Sequence, residues 1–395
     1  MKSLKVIWYS LIILFLFTGL LTGRREFFLL FFIFLFVVLY ALVLNIWTIL
    51  SFSYIQDLSL QAVVKGAVAH LKLGIYNDKP FPFTLMKVLV KTVSPDRIYG
   101  LEFNLPPNSN INFSVPLICP YRGVYGVGMT RIVVNDIFGL VRTRYDMRSL
   151  PYYKMKQLKI LPRIIELPYL PTRNTDAKNT GKTAIRFSDD GDSFSELRRY
   201  RHGDPLKRIH RIISARKREL YVKSYDIPLE TTALIAIDTA MELGTGEQRR
   251  YLADLASECA VAIADICMRT GYTVEFAGVD LSRSFRRRSK REVLSALCEK
   301  LAEQPFKGEG DIKSELESAS VRAEGFRAIY VISTAQPSSF ADVLFRLKKE
   351  GCHVCYVKVS GADEVTDHDG NVPGISFIPV SLGDDIRLVM LGEFR

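Results

Sequence analysis

Two uninterrupted apolar runs open the chain: "VIWYSLIILFLFTGLL" from Val6 to Leu21 and "FFLLFFIFLFVVLYALVLNIWTIL" from Phe27 to Leu50, with only "TGRRE" between them. The second exceeds the ~20 apolar residues that span a hydrocarbon core, and the first is near the minimum. The pair therefore predicts a tight transmembrane hairpin. From Leu58 to about Ile165 the pattern changes to short period-two stretches such as "AHLKLGIYN", "TLMKVLVKTV" and "NINFSVPL", broken by "NDKP", "SPD" and "PPNSN". Alternation with frequent turn signals predicts an antiparallel β-sandwich. From Thr231 onward, continuous apolar strands ("TALIAID", "YTVEFAGVD", "RAIYVIST", "CHVCYVKVS") alternate with amphipathic helical stretches, the longest closed by Gly271 as a C-cap. This alternation predicts a doubly wound α/β domain with a mostly parallel sheet. The expected organisation is a transmembrane hairpin at 1–52, a β-sandwich-like domain at 53–165, a basic joint and linker at 166–230, and an α/β domain at 231–395.

Charge and cysteine usage refine that picture. Trp8, Tyr9, Trp47 and Tyr54 sit where interfacial aromatics belong, and "LTGRRE" lacks the small-x-small pattern of a cleaved signal peptide. Two spans put the N-terminus and the soluble body on one side of the membrane. Lys2, Lys5, Lys65 and Lys72 on that side, against Arg24 and Arg25 in the hairpin, lean toward a cytoplasmic body in a multi-pass cell-membrane protein. The six cysteines are scattered through apolar stretches and read as buried reduced thiols. The single C-x-x-C, Cys352 to Cys355, falls in a strand, where residues three apart point to opposite faces, so a zinc or redox role is not expected.

The formal charge of +11 is concentrated in patches. Leu197 to Lys223 reads "LRRYRHGDPLKRIHRIISARKRELYVK", opposed internally only by Asp204 and Glu219. Cations at this density repel unless carboxylates or anions compensate them. Asp189, Asp190, Asp192 and Glu196 lie just upstream, so the first reading is a structural arginine–carboxylate joint with Arg198, Arg208 and Arg216 paired. A binding face for an acidic partner or anionic headgroups is the second. Sparse aromatic interleaving and a membrane tether argue against nucleic acid.

Ligands in open α/β sheets bind beyond the carboxyl ends of the strands. The positions that matter there are Asp238 to Glu242, Asp280 to Ser282 and Ser333 to Gln336. A D-x-S-x-S sequence at such a strand end would offer hard oxygen ligands to Mg²⁺, as in a von Willebrand factor A domain. Here it reads "DTAME", with Ala240 and Glu242 at the hydroxyl positions. Asp238 and Glu242 are the remaining candidate metal ligands. The expectation is nevertheless no bound cation, with Asp238 capping the neighbouring helix. No P-loop, G-x-G-x-x-G, H-E-x-x-H or nucleophile-elbow sequence is present, so no catalytic activity is expected.

The basic block resembles the bacterial and archaeal domain-of-unknown-function 58 family. The resemblance is carried by Leu197-Arg198, Tyr200, Gly203-Asp204, Arg208-Ile209, Ser214-Ala215-Arg216 and the stretch from Leu220 to Lys223, followed at once by "TALIAID". Upstream, "YRGVYGVG", "NDIFGLVRTR", "LKILPRI" and the two spans extend it over nearly the whole chain, while Arg211 departs from the apolar residue usual at its position. The resemblance implies a von Willebrand A-like C-terminal domain and a neighbourhood of MoxR-type AAA+ ATPases and other membrane proteins. It implies a membrane-anchored, non-enzymatic adaptor for protein–protein interaction. The alternative is a divalent-metal-dependent receptor working through Asp238 and Glu242.

Overall fold

A computed structural model describes the chain except for residues 1, 95–97, 137–138, 151–152, 169–193, 200–210, 226–231, 240–245, 280, 282–288, 307–311, 321–325, 362–371 and 391–395. It divides into two compact units, Met1–Leu161 and Pro162–Arg395. The hairpin helices thus belong to the same unit as the strands that follow them.

In the first unit, α1 (Lys2–Thr22) and α2 (Arg25–Leu50) are both long and apolar enough to cross a membrane. Ser51 and Phe52 alone separate α2 from β1 (Ser53–Leu58). The strands β2 (Ala62–Val64), β3 (Val68–Asn77), β4 (Phe83–Lys91), β5 (Ile98–Leu105), β6 (Ser109–Ile118), β7 (Gly123–Asn135), β8 (Arg142–Asp146) and β9 (Lys156–Leu161) complete the unit. They form a three-stranded sheet, β1-β3-β6, and a second sheet ordered β2-β9-β7-β4-β5 with β8 also paired to β7. Antiparallel pairing dominates, with β2 and β9 the parallel exception. Strict alternation explains the single core. Leu71, Leu73 and Ile75 of β3 meet Val88, Val90, Met129 and Ile132 of the other sheet in one buried cluster.

The second unit begins with an antiparallel pair, β10 (Phe194–Arg199) and β11 (Tyr221–Tyr225), joined through α3 (Arg211–Lys217). Its main sheet contains β12 (Thr232–Ile237), β13 (Thr273–Ala277), β14 (Phe326–Ser333), β15 (His353–Ser360) and β16 (Ser376–Ser381). All five are parallel, in the order β13-β12-β14-β15-β16. Every residue of β12 is buried, as a central parallel strand with both faces covered requires. On one face, Leu234, Ala236, Ile329, Val331 and Tyr356 pack with side chains of α6 (Ile312–Ser320) and α7 (Ala341–Lys349). On the other, Tyr330 meets Cys267 of α4 (Gly246–Arg269). α5 (Lys290–Glu303), started by a Ser289–Glu292 capping box, and α8 (Ile386–Met390) complete the unit.

Gly271 ends α4 at φ +92°, and Tyr272 N–H donates to Cys267 C=O at 2.9 Å, the Schellman closure expected of a glycine C-cap. All six cysteines are buried free thiols. The sulfur of Cys352 donates to Phe326 C=O, and burial pushes the Cys355 thiol up to about 12.

Candidate functional site

The chain leaves β12 toward β13 on one side and returns to β14 on the other, so the strand order reverses between β12 and β14. This is the topological switch point, where the carboxyl ends of two strands diverge and open a crevice. β12 ends into Asp238, and β14 ends on Ser333. The two side chains meet: Ser333 Oγ donates to Asp238 Oδ2 at 2.6 Å, and both residues are buried. Backbone bonds hold the pair, with Asp238 N–H donating to Ile332 C=O at 2.9 Å and Ala335 N–H to Ser333 Oγ at 3.0 Å. Tyr356 reaches up from β15 and donates its hydroxyl to Ala335 C=O at 2.9 Å. Burial raises the Tyr356 hydroxyl above the ordinary tyrosine value; the Ser333 hydrogen bond opposes that shift and the Asp238 charge adds to it.

Strand register adds a residue that the sequence patterns alone did not single out. Lys358 of β15 pairs across from Ser333 and is only 5% exposed. Asp238, Ser333 and Lys358 therefore form one row across three adjacent strands, on the face that carries Tyr356. One row further along, Ser360 and Ser381 share a hydrogen bond at 3.0 Å. Gly278 closes the other flank at φ +82°. A Cβ there would lie 1.9 Å from Ile237 C=O, so only glycine permits this close approach of β13 to β12. Gln304 Nε2 and the Glu315 carboxylate hold its carbonyl and N–H.

Among the described residues this row offers a divalent cation a single carboxylate, that of Asp238. That carboxylate already accepts a hydroxyl, the Ala240 side chain has no ligand atom, and the buried Lys358 stands in the same row. Among the described residues no group of three or more His, Cys, Asp or Glu converges to hold a metal. Glu242 lies outside the described residues. Asp238 engages the neighbouring strand, and residues 240–245, which lead into the helix it was expected to cap, lie outside the described residues.

Within the basic block, Leu197 pairs with Lys223 and Arg198 with Val222 in the β10–β11 ladder. The side chains of Arg198 and Lys223 lie outside the described residues, as do Tyr200, Gly203, Asp204 and Arg208. Ser214 is buried on α3, and its hydroxyl accepts from Tyr221 N–H at 2.9 Å and donates to Tyr221 C=O, tying the helix to β11. Arg216 is exposed, and the carboxylates expected to pair with it, Asp189, Asp190, Asp192 and that of Glu196, lie outside the described residues. Lys217 lies over the Tyr221 ring at 5.1 Å.

An arginine–carboxylate network does exist, on α4. Arg163 clasps Glu258 with both ends of its guanidinium, at 2.9 and 3.2 Å, and the Glu258 hydrogen bond raises the arginine above its ordinary value. Arg269 pairs with Asp265 at 2.7 Å and donates to Leu167 C=O at 2.9 Å, so both ends of the segment from Pro162 to Leu167 are fastened along α4. Asp254 and Glu258 are buried one turn apart. That i, i+4 spacing of carboxylates inside an otherwise apolar helix was the sequence signal for this network.

Residues 196–366 match the family described as "Protein of unknown function DUF58". The match spans β10 to β15, including the basic block and the switch point. No curated protein matches the chain. Among solved structures, the CARDB domain of the PF1109 protein from Pyrococcus furiosus aligns at 13% identity and a TM-score of 0.21, covering 28% of this chain and 93% of that one. A β-glucosidase from Listeria innocua aligns at 10% identity and a TM-score of 0.17, covering 28% of this chain and 16% of that one. Spo0M, a sporulation control protein from Bacillus subtilis, gives 10% and 0.17, covering 28% of this chain and 49% of that one.

Proposed function

We propose that this protein is a membrane-anchored, non-enzymatic interaction module that presents its α/β unit to a partner, an AAA+ ATPase of the MoxR type. One observation carries the anchoring half of the reading. The apolar hairpin is bonded into the β-rich unit, α2 running into β1 across two residues and Asn45 Nδ2 donating to Val141 C=O at 3.2 Å. A hairpin fastened in this way transmits the position of the membrane to the soluble body, as an adaptor requires. The partner half rests on the match of residues 196–366 to the family and on the neighbourhood the resemblance implies.

The β-rich unit in this reading is a sandwich-type spacer, supported by two sheets sharing one core. The α/β unit is von Willebrand A-like, supported by its all-parallel sheet with Asp238 closing the first strand at the switch point. The soluble body faces the cytoplasm, supported by the lysines flanking the spans.

The test is co-purification. The full chain, solubilised in detergent, is expected to retain the MoxR-type ATPase of its own cell on affinity capture, and a variant with Arg216→Glu and Lys217→Glu at the exposed end of α3 is expected to retain less. Repeated absence of the ATPase from the eluate overturns the reading.

A further inference from the structure

The end of the β-rich unit nearest the helices carries polar and apolar features that its own fold does not use. Asn45 is 2% exposed inside α2, an amide in an otherwise apolar span, and Tyr9 occupies the corresponding face of α1. Their side chains converge on consecutive carbonyls of the β7–β8 loop: Tyr9 Oη donates to Leu140 C=O at 3.4 Å and Asn45 Nδ2 to Val141 C=O at 3.2 Å. The loop satisfies more of its backbone internally. Asp136 Oδ1 accepts from Val141 N–H at 2.7 Å, and Gly139 N–H donates to Asp136 C=O at 3.0 Å. Irregular backbone is tolerated at membrane depth only when its polar groups find partners in protein, and two residues of the spans supply them here.

The helix geometry sets the level of this loop. From Arg25 to Asn45 the rise is about 30 Å, the thickness of a hydrocarbon core. With Arg24 and Arg25 at the far headgroups, Asn45 and the carbonyls it holds lie at the near boundary. The remaining turn of α2, Ile46 to Leu50, then crosses the headgroup layer. At that level Trp47 packs its ring on Phe81 of the β3–β4 loop, with centroids 5.3 Å apart. Phe81 is nonetheless 43% exposed. Leu85, beside the β7–β8 loop through the Asn135 side chain, is 47% exposed at φ +42°, a left-handed conformation unusual for leucine. A β-bulge in β4 and the side-chain oxygen of Asn104, Oδ1, which accepts from Leu85 N–H at 2.7 Å, hold it there. Strained backbone that presents an apolar side chain outward is accounted for when that side chain enters lipid.

We infer that the β3–β4 loop, the bulged start of β4 and the β7–β8 connection, through Phe81, Leu85 and the Leu140–Val141 turn, seat this unit in the interfacial layer of the bilayer around the hairpin. The occupant of this apolar collar is the lipid surface itself. The inference rests on the membrane reading of the hairpin, and its test separates the two.

Tryptophan fluorescence in vesicles whose acyl chains are brominated near the glycerol end reads proximity to that layer. Trp8 and Trp47 are the only tryptophans, so Trp8→Phe leaves a protein reporting from Trp47, and Trp8→Phe/Trp47→Phe provides a silent background. Phe81→Trp and, separately, Leu85→Trp in that background are expected to lose emission to a degree comparable with Trp47. Ile98→Trp, at the opposite end of the β4–β5 hairpin, is expected to lose almost none. Quenching of Trp47 without quenching of either Phe81→Trp or Leu85→Trp overturns the seating and leaves the anchor intact. No quenching at any position, Trp47 included, overturns the membrane reading and the seating with it. Equal quenching at Ile98→Trp overturns the end-on arrangement.

Discussion

The two units bury polar groups in different ways. In the first, the buried polar residues are Asn45, Gln56, Asn77 and Asp136, and each bonds to main chain. Gln56 donates to Lys154 C=O at 2.7 Å and accepts from Met129 N–H at 3.2 Å, and Asn77 gathers the carbonyls of Phe81 and Pro106. These groups stitch loops to sheets. In the second unit, Asp238, Ser333, Glu258 and Lys358 are buried, and the two carboxylates among them meet other side chains: Asp238 accepts from Ser333 and Glu258 from Arg163. Backbone bonds satisfy irregular chain and little else, whereas converging side chains create charge and hydroxyl arrangements that a ligand or partner can read. In the first unit, bonds to main chain fix loops to sheets, and in the second, side-chain bonds bring a carboxylate and a hydroxyl together at the switch point.

The largest expected effect tests the stitching. Gln56→Leu strands a buried N–H and a buried carbonyl and is expected to cost about 2–3 kcal/mol, read as a lower thermal midpoint of the detergent-solubilised full chain. An unchanged midpoint would mean that the two main-chain groups find other partners and that the amide is dispensable.

The second effect has the opposite sign. Lys358 is a lysine only 5% exposed, with no ion-pair partner among the described residues, so Lys358→Met at similar length is expected to raise stability by about 1 kcal/mol. Retained ATPase would be expected to fall in the same variant if the switch-point row serves recognition. A destabilised Lys358→Met protein would show instead that the ammonium belongs to a structural network, and would remove the contrast between the units.

The smallest effect varies with pH only in the acid range. Arg148 holds the exposed Asp146 carboxyl at about 2, first through its side-chain hydrogen bond and then through its backbone N–H. A carboxyl depressed on folding contributes stability that is complete above its unfolded value near 4 and disappears as pH falls through the folded one. Arg148→Gln should flatten the stability slope between pH 4 and 2, lowering the midpoint slightly at neutral pH and leaving it unmoved below pH 2. An unchanged slope between pH 4 and 2 would mean that the pair contributes nothing to folding.

Much of this organisation is legible in the order of residues. The apolar runs ending at Leu21 and Leu50, the alternation of β3 and β6, the fully apolar β12 and the glycine that closes α4 all follow from local periodicity and backbone preference. Such features depend on neighbours within a few residues, so the sequence alone determines them. The sites depend on other distances. Ser333 reaches Asp238 across 95 residues of chain, Arg163 reaches Glu258 across 95, and Tyr9 reaches Leu140 across 131. Asp238 was visible as a carboxylate after a strand, but its partner follows from β14 pairing beside β12 in one register, and Lys358 joins the row only because β15 pairs beside β14. Strand order and register are set by how whole faces pack and by where the crossovers return the chain. Tertiary structure therefore decided which polar residues meet, because a polar group in sequence has no preferred partner until packing removes water from it.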